Sequence, residues 1–227
     1  MYNCQIGYLL MPVYTKNNKN ILFVHIPKTG GSSIEKIFIE KGWDESFISN
    51  GKRSDIIKIY KSSLQHLHSP ILKDIFNLSN FYKIFSIVRN PFDRFKSEYY
   101  WQLRLKIISP KINPPEKWLN NILRDYKNNN YIFDNHIRPQ NEFLVEGVKV
   151  FKLEDGLTKA YEYAFDESPF LMPIIKKNKN PFKFFGRGRS ELTLKKSKKN
   201  KFIEDQFLKI KPRIIDFYSK DYECFKY

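Results

Sequence analysis

The chain has 227 residues and a mass of 27.3 kDa, the size of one ordinary domain. Hydrophobic residues make up 41% and aromatic ones 16%, enough for a sizeable core, which excludes full disorder and collagen-like or repeat architectures. Lys and Arg number 40 against 24 Asp and Glu, a net charge of +16, so the surface calls for an anionic partner: a phosphate cofactor, a nucleic acid, an acidic polysaccharide or an anionic membrane.

Tyr8 to Val13 is apolar but short, is interrupted by Pro12 and follows no basic segment, so it reads as neither a membrane span nor a signal peptide. The expectation is a soluble, cytoplasmic protein, although a chain trimmed of an anchor would read the same. Cys4 and Cys224 do not make a disulfide framework and read as reduced thiols. Residues 21–26 form an apolar run that ends at Pro27, as a buried parallel strand does, with His25 inside it. Lys28-Thr29-Gly30-Gly31-Ser32-Ser33 follows, and then Ile34, Ile37 and Phe38 recur at helical spacing. The unit predicts strand, glycine turn and helix, with Ser32 or Ser33 as N-cap. Residues 54–78 read as helix in two pieces, broken near His68-Ser69-Pro70. Residues 82–88 read as a second buried strand, ended by Arg89-Asn90-Pro91, with Pro91 opening a helix that runs through Tyr99 and Tyr100 towards Leu105. Helices are expected over 115–125 and 135–145, a third strand over 148–151 and a helix over 156–165. Residues 176–201 hold eleven basic residues and one acid, Glu191, hence +10 of the +16, and read as a mobile basic loop of a single domain spanning 1–227. A helix over about 207–222 closes the chain, with Pro212 in its first turns. Strands alternating with helices predict a three-layer α/β fold with a central parallel sheet flanked by helices.

A strand that stops at a glycine turn and feeds a helix is an anion site, because the turn's N–H groups and the helix dipole point at the ligand. Gly30 and Gly31 let the main chain approach phosphate oxygens, Ser32 and Ser33 add hydroxyls, and Lys28 adds a point charge. The order is not that of a nucleoside-triphosphate P-loop, G-x-x-x-x-G-K-[ST]: here the lysine precedes the glycines, and the first glycine is absent. The turn is P-loop-like in shape only. Downstream, Arg89 stands at a strand's C-terminal end, where ligands bind in open α/β sheets, and Ser97 lies about two helical turns further on. An arginine fork with a hydroxyl suits a phosphate monoester. Asp93 and Arg94 read as residues that fix the turn and the helix start.

The two segments, Phe23 to Ser33 and Val88 to Tyr99, together resemble the sulfotransferase family, closest to the branch holding carbohydrate and heparan sulfate 2-O-sulfotransferases and small bacterial homologues. Glu154-Asp155-Gly156-Leu157 resembles the family's central E-x-L segment, and Tyr218 to Tyr227 its Y-x-x-D-[FY]-x-x-F-x-Y tail. The resemblance implies a sulfotransferase that moves a sulfuryl group from 3′-phosphoadenylyl sulfate (PAPS) to a hydroxyl, the acceptor being of carbohydrate class, and releases adenosine 3′,5′-bisphosphate. It implies that Lys28 contacts the bridging oxygen of the phosphosulfate, that Thr29, Gly30, Gly31, Ser32 and Ser33 cradle the 5′-phosphate, and that Arg89 and Ser97 take the 3′-phosphate. No metal is required, and no nucleic-acid partner is expected.

Sulfuryl transfer needs a base for the acceptor hydroxyl, and histidine has the matching pKa. Of His25, His66, His68 and His136, His66 lies between the cofactor motifs and is the first candidate by the resemblance. His68 is the second candidate and, like His136, is placed on the acceptor side. His25 reads as structural, and Glu35 is an acidic alternative. Within the basic loop, Arg187, Gly188 and Arg189 are the residues expected to close over the cofactor. Two other readings are a nucleotide kinase or NTPase, against which the lysine's position argues, and a non-enzymatic nucleic-acid-binding protein using the cations and Phe182, Phe184 and Phe185 of the basic loop.

Overall fold

A computed structural model of the chain describes residues 13–46, 58–167 and 198–227. Among them are the strands β1 (Val13–Lys16), β2 (Lys19–Val24), β3 (Asp44–Ser46), β4 (Lys83–Val88) and β5 (Lys149–Lys152), joined in one sheet in the order β3-β1-β2-β4-β5. β2, β4 and β5 are parallel, as expected from their apolar runs. The sheet as a whole is mixed, because β1 runs antiparallel to both β2 and β3. The hairpin between β1 and β2 turns on Asn17 and Asn18, both at positive φ (49° and 61°), the backbone that a two-residue hairpin loop requires and asparagine tolerates.

The helices are α1 (Gly31–Glu40), α2 (Ser69–Ile75), α3 (Pro91–Arg104), α4 (Pro115–Asn128), α5 (Thr158–Phe165), α6 (Lys198–Phe217) and α7 (Ser219–Phe225). They cover the sheet on both faces. Ile21, Phe23, Phe85 and Ile87 pack against Ile34, Ile37 and Phe38 of α1 and Ala160, Tyr161 and Ala164 of α5. Leu22, Val24, Ile84 and Val88 pack on the other face against Leu72 of α2 and Phe225 of α7. This two-sided burial is why β2 and β4 read as continuous apolar runs rather than alternating ones. The one polar residue inside β4, Ser86, is fully buried and donates its hydroxyl to the Val24 carbonyl at 2.7 Å. A third cluster joins Phe95 and Tyr99 of α3, Trp118 and Ile122 of α4, and Phe207 and Ile214 of α6.

Three expectations are corrected. Residues 135–145 are not an α-helix: a turn precedes a short 3-10 stretch, Gln140–Phe143, because Phe133, Asp134 and Asn135 are all left-handed (φ 50°, 58° and 63°) and Pro139 follows. The closing helix is two helices, and Pro212 lies well inside α6 rather than in its first turns. Residues 198–201, assigned to the basic loop, belong to α6, while 176–197 lie outside the described residues, as does Cys4. Cys224 is a free, exposed thiol.

The tail is tied to the sheet's C-terminal edge by polar bonds, the innermost of them buried. Asp221 accepts from the Gln140 and Asn141 backbone N–H groups at 2.8 and 2.9 Å, and Tyr218 donates its hydroxyl to the Ile137 carbonyl at 2.7 Å. Tyr227 donates to Glu154 at 2.7 Å. Asp221→Ala leaves two buried N–H groups unpaired and is expected to lower stability by about 3 kcal/mol in urea unfolding, whereas Asp221→Asn, which keeps one acceptor oxygen in place, should cost less.

Candidate active site

The C-terminal ends of β2, β4 and β5 open on one edge of the sheet, and the segments that follow them meet there. After β2 the chain passes through His25 to Gly30 before α1 begins. Lys28 takes a left-handed backbone (φ 69°), an uncommon conformation for a residue with a side chain. The Thr29 hydroxyl turns inward and donates to the Ile26 carbonyl at 2.8 Å, so it closes the loop, leaving only its backbone for a ligand. The two glycines are required for different reasons. Gly30 has φ 93°, and a Cβ there would sit 3.0 Å from Leu153; a Cβ on Gly31 would lie 2.3 Å from His25 Nε2. Gly30, not a serine, is the N-cap of α1, and no side chain caps the helix. Ser32 is exposed and Ser33 half-buried, its N–H bonded to the Gly30 carbonyl at 3.0 Å. An uncapped helix start behind two glycines has backbone donors to offer an anion.

The turn after β4 is clamped from two sides. Arg89 N–H donates to Gln140 Oε1 at 2.9 Å, and Gln140 Nε2 donates back to the Arg89 carbonyl at 2.8 Å. Asn90 N–H donates to Glu154 Oε1 at 2.7 Å, which gives the E-x-L segment a structural task. The Asn90 side chain accepts from Phe92 and Asp93 N–H and so caps α3. Arg89 Nη1 lies 3.5 Å from the Lys28 carbonyl, so the two strand ends meet.

Along α3, Arg94, Ser97, Glu98 and Trp101 fall on one stripe at helical spacing. Arg94 is 1% exposed and does more than fix the helix start. Its guanidinium donates to the carbonyls of Pro27, Arg138 and His136, each at 2.9 Å. Lys28 Nζ lies 4.4 Å from the centre of the Trp101 ring, with the Arg104 guanidinium over the same ring at 4.8 Å. Burial, with Arg89, Arg104 and Arg94 nearby, lowers the Lys28 pKa to about 8 against the pull of Glu98.

Three histidines stand in a row beside the loop. His66 packs edge-on against His25 and His136, with ring centres 5.2 and 4.9 Å apart. Each places Nδ1 on a carboxylate: His25 on Glu35 at 2.6 Å, His66 on Asp134 at 2.8 Å, His136 on Glu98 at 2.6 Å. Ionised carboxylates only accept, so Nδ1 carries the proton and Nε2 keeps the lone pair in each neutral ring. Burial pushes the His66 pKa down to about 4, outweighing Asp134. Burial alone would raise Asp134, but hydrogen bonds from His66 and from Ser63 N–H hold it well below the usual carboxylate range. The pair is therefore neutral imidazole and carboxylate at neutral pH. Glu35 is also held low despite burial, by His25 and by Gln65 Nε2 at 2.6 Å, which argues against it as a base.

His68 does not join the row. It precedes α2, packs on Tyr131 with ring centres 5.4 Å apart, and keeps a buried Nδ1 without a hydrogen-bond partner. Burial and Arg138 bring its pKa to about 4. Ser97 is buried on the α3 stripe, within the stretch that faces the loop. Arg187, Gly188 and Arg189 lie outside the described residues. His66, Asp134 and His136 offer atoms within 4.8 Å of one another, close enough for one metal ion, but sharing one through Nδ1 and Asp134 would break the His66–Asp134 hydrogen bond. Asp134, Glu98, Trp101 and Gln140 were not singled out from the sequence, and Arg94 was read only as fixing the helix start. Only the α3 residues carried a signal, their shared spacing.

The chain matches the sulfotransferase family over residues 11–227. It belongs to that family. No curated protein and no solved structure matches it. Membership makes the protein an enzyme of sulfuryl transfer, and it sets aside the readings as a kinase or as a non-enzymatic nucleic-acid-binding protein. Among the described residues, no helix is long and apolar enough to cross a membrane. For this sulfotransferase, Gly31→Ala is expected to cost about 1–3 kcal/mol through overlap with His25, and the cost should shrink when His25→Ala is made alongside, as read from a double-mutant cycle in urea.

Proposed function

We propose that the protein transfers the sulfuryl group of PAPS to a hydroxyl of a carbohydrate-class acceptor, releasing adenosine 3′,5′-bisphosphate. The observation that carries this reading is the meeting of two strand ends: the Lys28 loop and the Arg89 turn touch, each is held by hydrogen bonds, and a histidine–carboxylate pair stands beside them. The residues fit such a nucleotide. The uncapped start of α1, Gly30, Gly31, Ser32, Ser33 and the Thr29 backbone suit the 5′-phosphate, and Arg89 with Ser97 suits the 3′-phosphate.

When bound, PAPS supplies a sulfuryl group whose sulfur–oxygen bond to the 5′-phosphate breaks as the acceptor oxygen bonds to sulfur. His66 Nε2 takes the acceptor's proton, while Asp134 fixes the ring and stabilises the imidazolium that forms. Lys28 and the loop N–H groups take up the negative charge left on the phosphate. Half-buried against Trp101, the ammonium acts at lower effective dielectric than in water and has little freedom to lose. His136, adjoining His66 and fixed by Glu98, is our candidate for contact with the acceptor; His68, which packs on Tyr131, is not part of the row. The carbohydrate class of the acceptor rests on the motif resemblance.

Lys28→Ala and Arg89→Ala are each expected to abolish binding of adenosine 3′,5′-bisphosphate in calorimetry and release of that product from PAPS with a glycan panel. His66→Ala should keep nucleotide affinity and lose about 10²–10⁴ in turnover. Wild-type behaviour of both Lys28→Ala and Arg89→Ala would remove the assignment.

The pH profile follows from the same two groups. Lys28 is charged below about 8 and loses its proton as pH rises through that value; His66 is a free base above about 4 and becomes protonated as pH falls through it. The kcat/KM profile of the free enzyme is therefore expected to be a bell with limbs near these values, and Lys28→Arg should remove the alkaline limb while retaining nucleotide binding.

A further inference from the structure

Directly after Arg104, the cation stacked on Trp101, the backbone makes a surface loop that the proposed mechanism does not use. Leu105, Ile107 and Ile112 are 48%, 61% and 66% exposed, three large aliphatic side chains within eight residues. Lys106 and Lys111 are exposed between them and Arg104 just before them, and residues 104–115 contain no acid. The exposure is built in. Lys106 takes a left-handed backbone (φ 59°) to end α3, with its N–H on the Leu103 carbonyl at 3.1 Å and Ile107 N–H on the Gln102 carbonyl at 3.0 Å. Asn113 N–H returns to the Ser109 carbonyl at 2.7 Å, and the buried Tyr99 hydroxyl donates to the Asn113 carbonyl at 2.9 Å. Ile108 packs into the helical core, leaving Ile107 and Ile112 outside.

We propose that this loop docks the enzyme on an anionic lipid bilayer, with Leu105, Ile107 and Ile112 entering the interface and Lys106 and Lys111 meeting headgroup phosphates. Aliphatic side chains ringed by cations suit an interface that is apolar beneath and anionic above. A soluble polyanion would use the cations and gain nothing from the isoleucines. The loop leaves α3 one turn from Trp101 and Lys28, so docking brings the candidate active site to the membrane surface, where a lipid-borne hydroxyl acceptor is presented; that last point rests on the sulfuryl-transfer reading above, whereas the docking does not.

The test is co-sedimentation of the full-length protein with phosphatidylcholine vesicles, with and without phosphatidylglycerol. Wild type should bind the anionic vesicles more tightly. The Ile107→Ser and Ile112→Ser pair should weaken binding about tenfold or more, and the Lys106→Gln and Lys111→Gln pair about fivefold for each charge removed. Thermal unfolding should be unchanged, since all four side chains are exposed. No wild-type binding, or wild-type binding by both pairs, would overturn the proposal, the second outcome assigning attraction to the basic residues elsewhere. Loss with the lysine pair alone, together with full displacement by heparin, would replace the bilayer with a polyanion. Bisphosphate affinity measured on the same preparations separates the two readings: protein that sediments but binds no nucleotide retires the cofactor assignment and keeps the docking surface.

Discussion

Arg94 joins three parts of the protein that the site needs in register. Its side chain starts on α3, reaches the Pro27 carbonyl of the Lys28 loop, and bonds the carbonyls of His136 and Arg138 on the opposite wall. A buried guanidinium is costly unless its donors are used, and here its geometry spreads three bonds over two otherwise independent loops. Lysine has no such fork. The charge is also felt by Asp221, the residue that holds the Gln140 turn from the C-terminal helix. Arg94, Gln140 and Asp221 thus form a polar frame beneath Lys28 and Arg89, and the apolar layers above and below the sheet only have to bring its members close.

The frame supports local strain. Lys28 and the run Phe133-Asp134-Asn135 all lie at positive φ, a conformation that costs about 1 kcal/mol or more for each residue. Each departure aims something at the candidate active site. The left-handed turn at 133–135 delivers Asp134 to His66 and Ser63, while Asn135 Nδ2 bonds the His66 carbonyl at 2.9 Å and is itself held by Arg138 at 3.0 Å. The hydrogen bonds that hold the turn are the same ones that orient the imidazole, so its stability and the geometry of the site have a common source.

The row of histidines changes how the site is read. Taken singly, His25 is a structural residue and His136 an acceptor contact; in the fold each repeats the arrangement of His66, with Nδ1 on a carboxylate and Nε2 left basic. His25 also shapes the Lys28 loop, since its ring fills the space beside Gly31. His25, the candidate base His66 and His136 follow one another ring against ring from the Gly31 end of the row.

Much was legible in the residues themselves. The apolar runs at 21–24 and 83–88 are strands because both faces are buried, and Lys28 and Arg89, singled out as a candidate phosphate site, do fall just past the ends of those strands. β1 was missed although Asn17-Asn18 marked its hairpin, and the helix expected over 135–145 gave way to a turn that tertiary bonds impose on Asp134 and Asn135. The candidate base could be named but not its partner. Periodicity and spacing report on neighbours along the sequence, whereas His66 and Asp134 are 68 residues apart, His136 and Glu98 are 38 apart, and Arg94 reaches Pro27 across 67. Such bonds depend on where the sheet edge, α3 and the 133–141 segment come to rest in space. The parallel strands and the family were readable from residue order alone; which carboxylate faces which histidine came only with the fold, because a hydrogen bond is fixed by distance and direction between atoms that no local pattern relates.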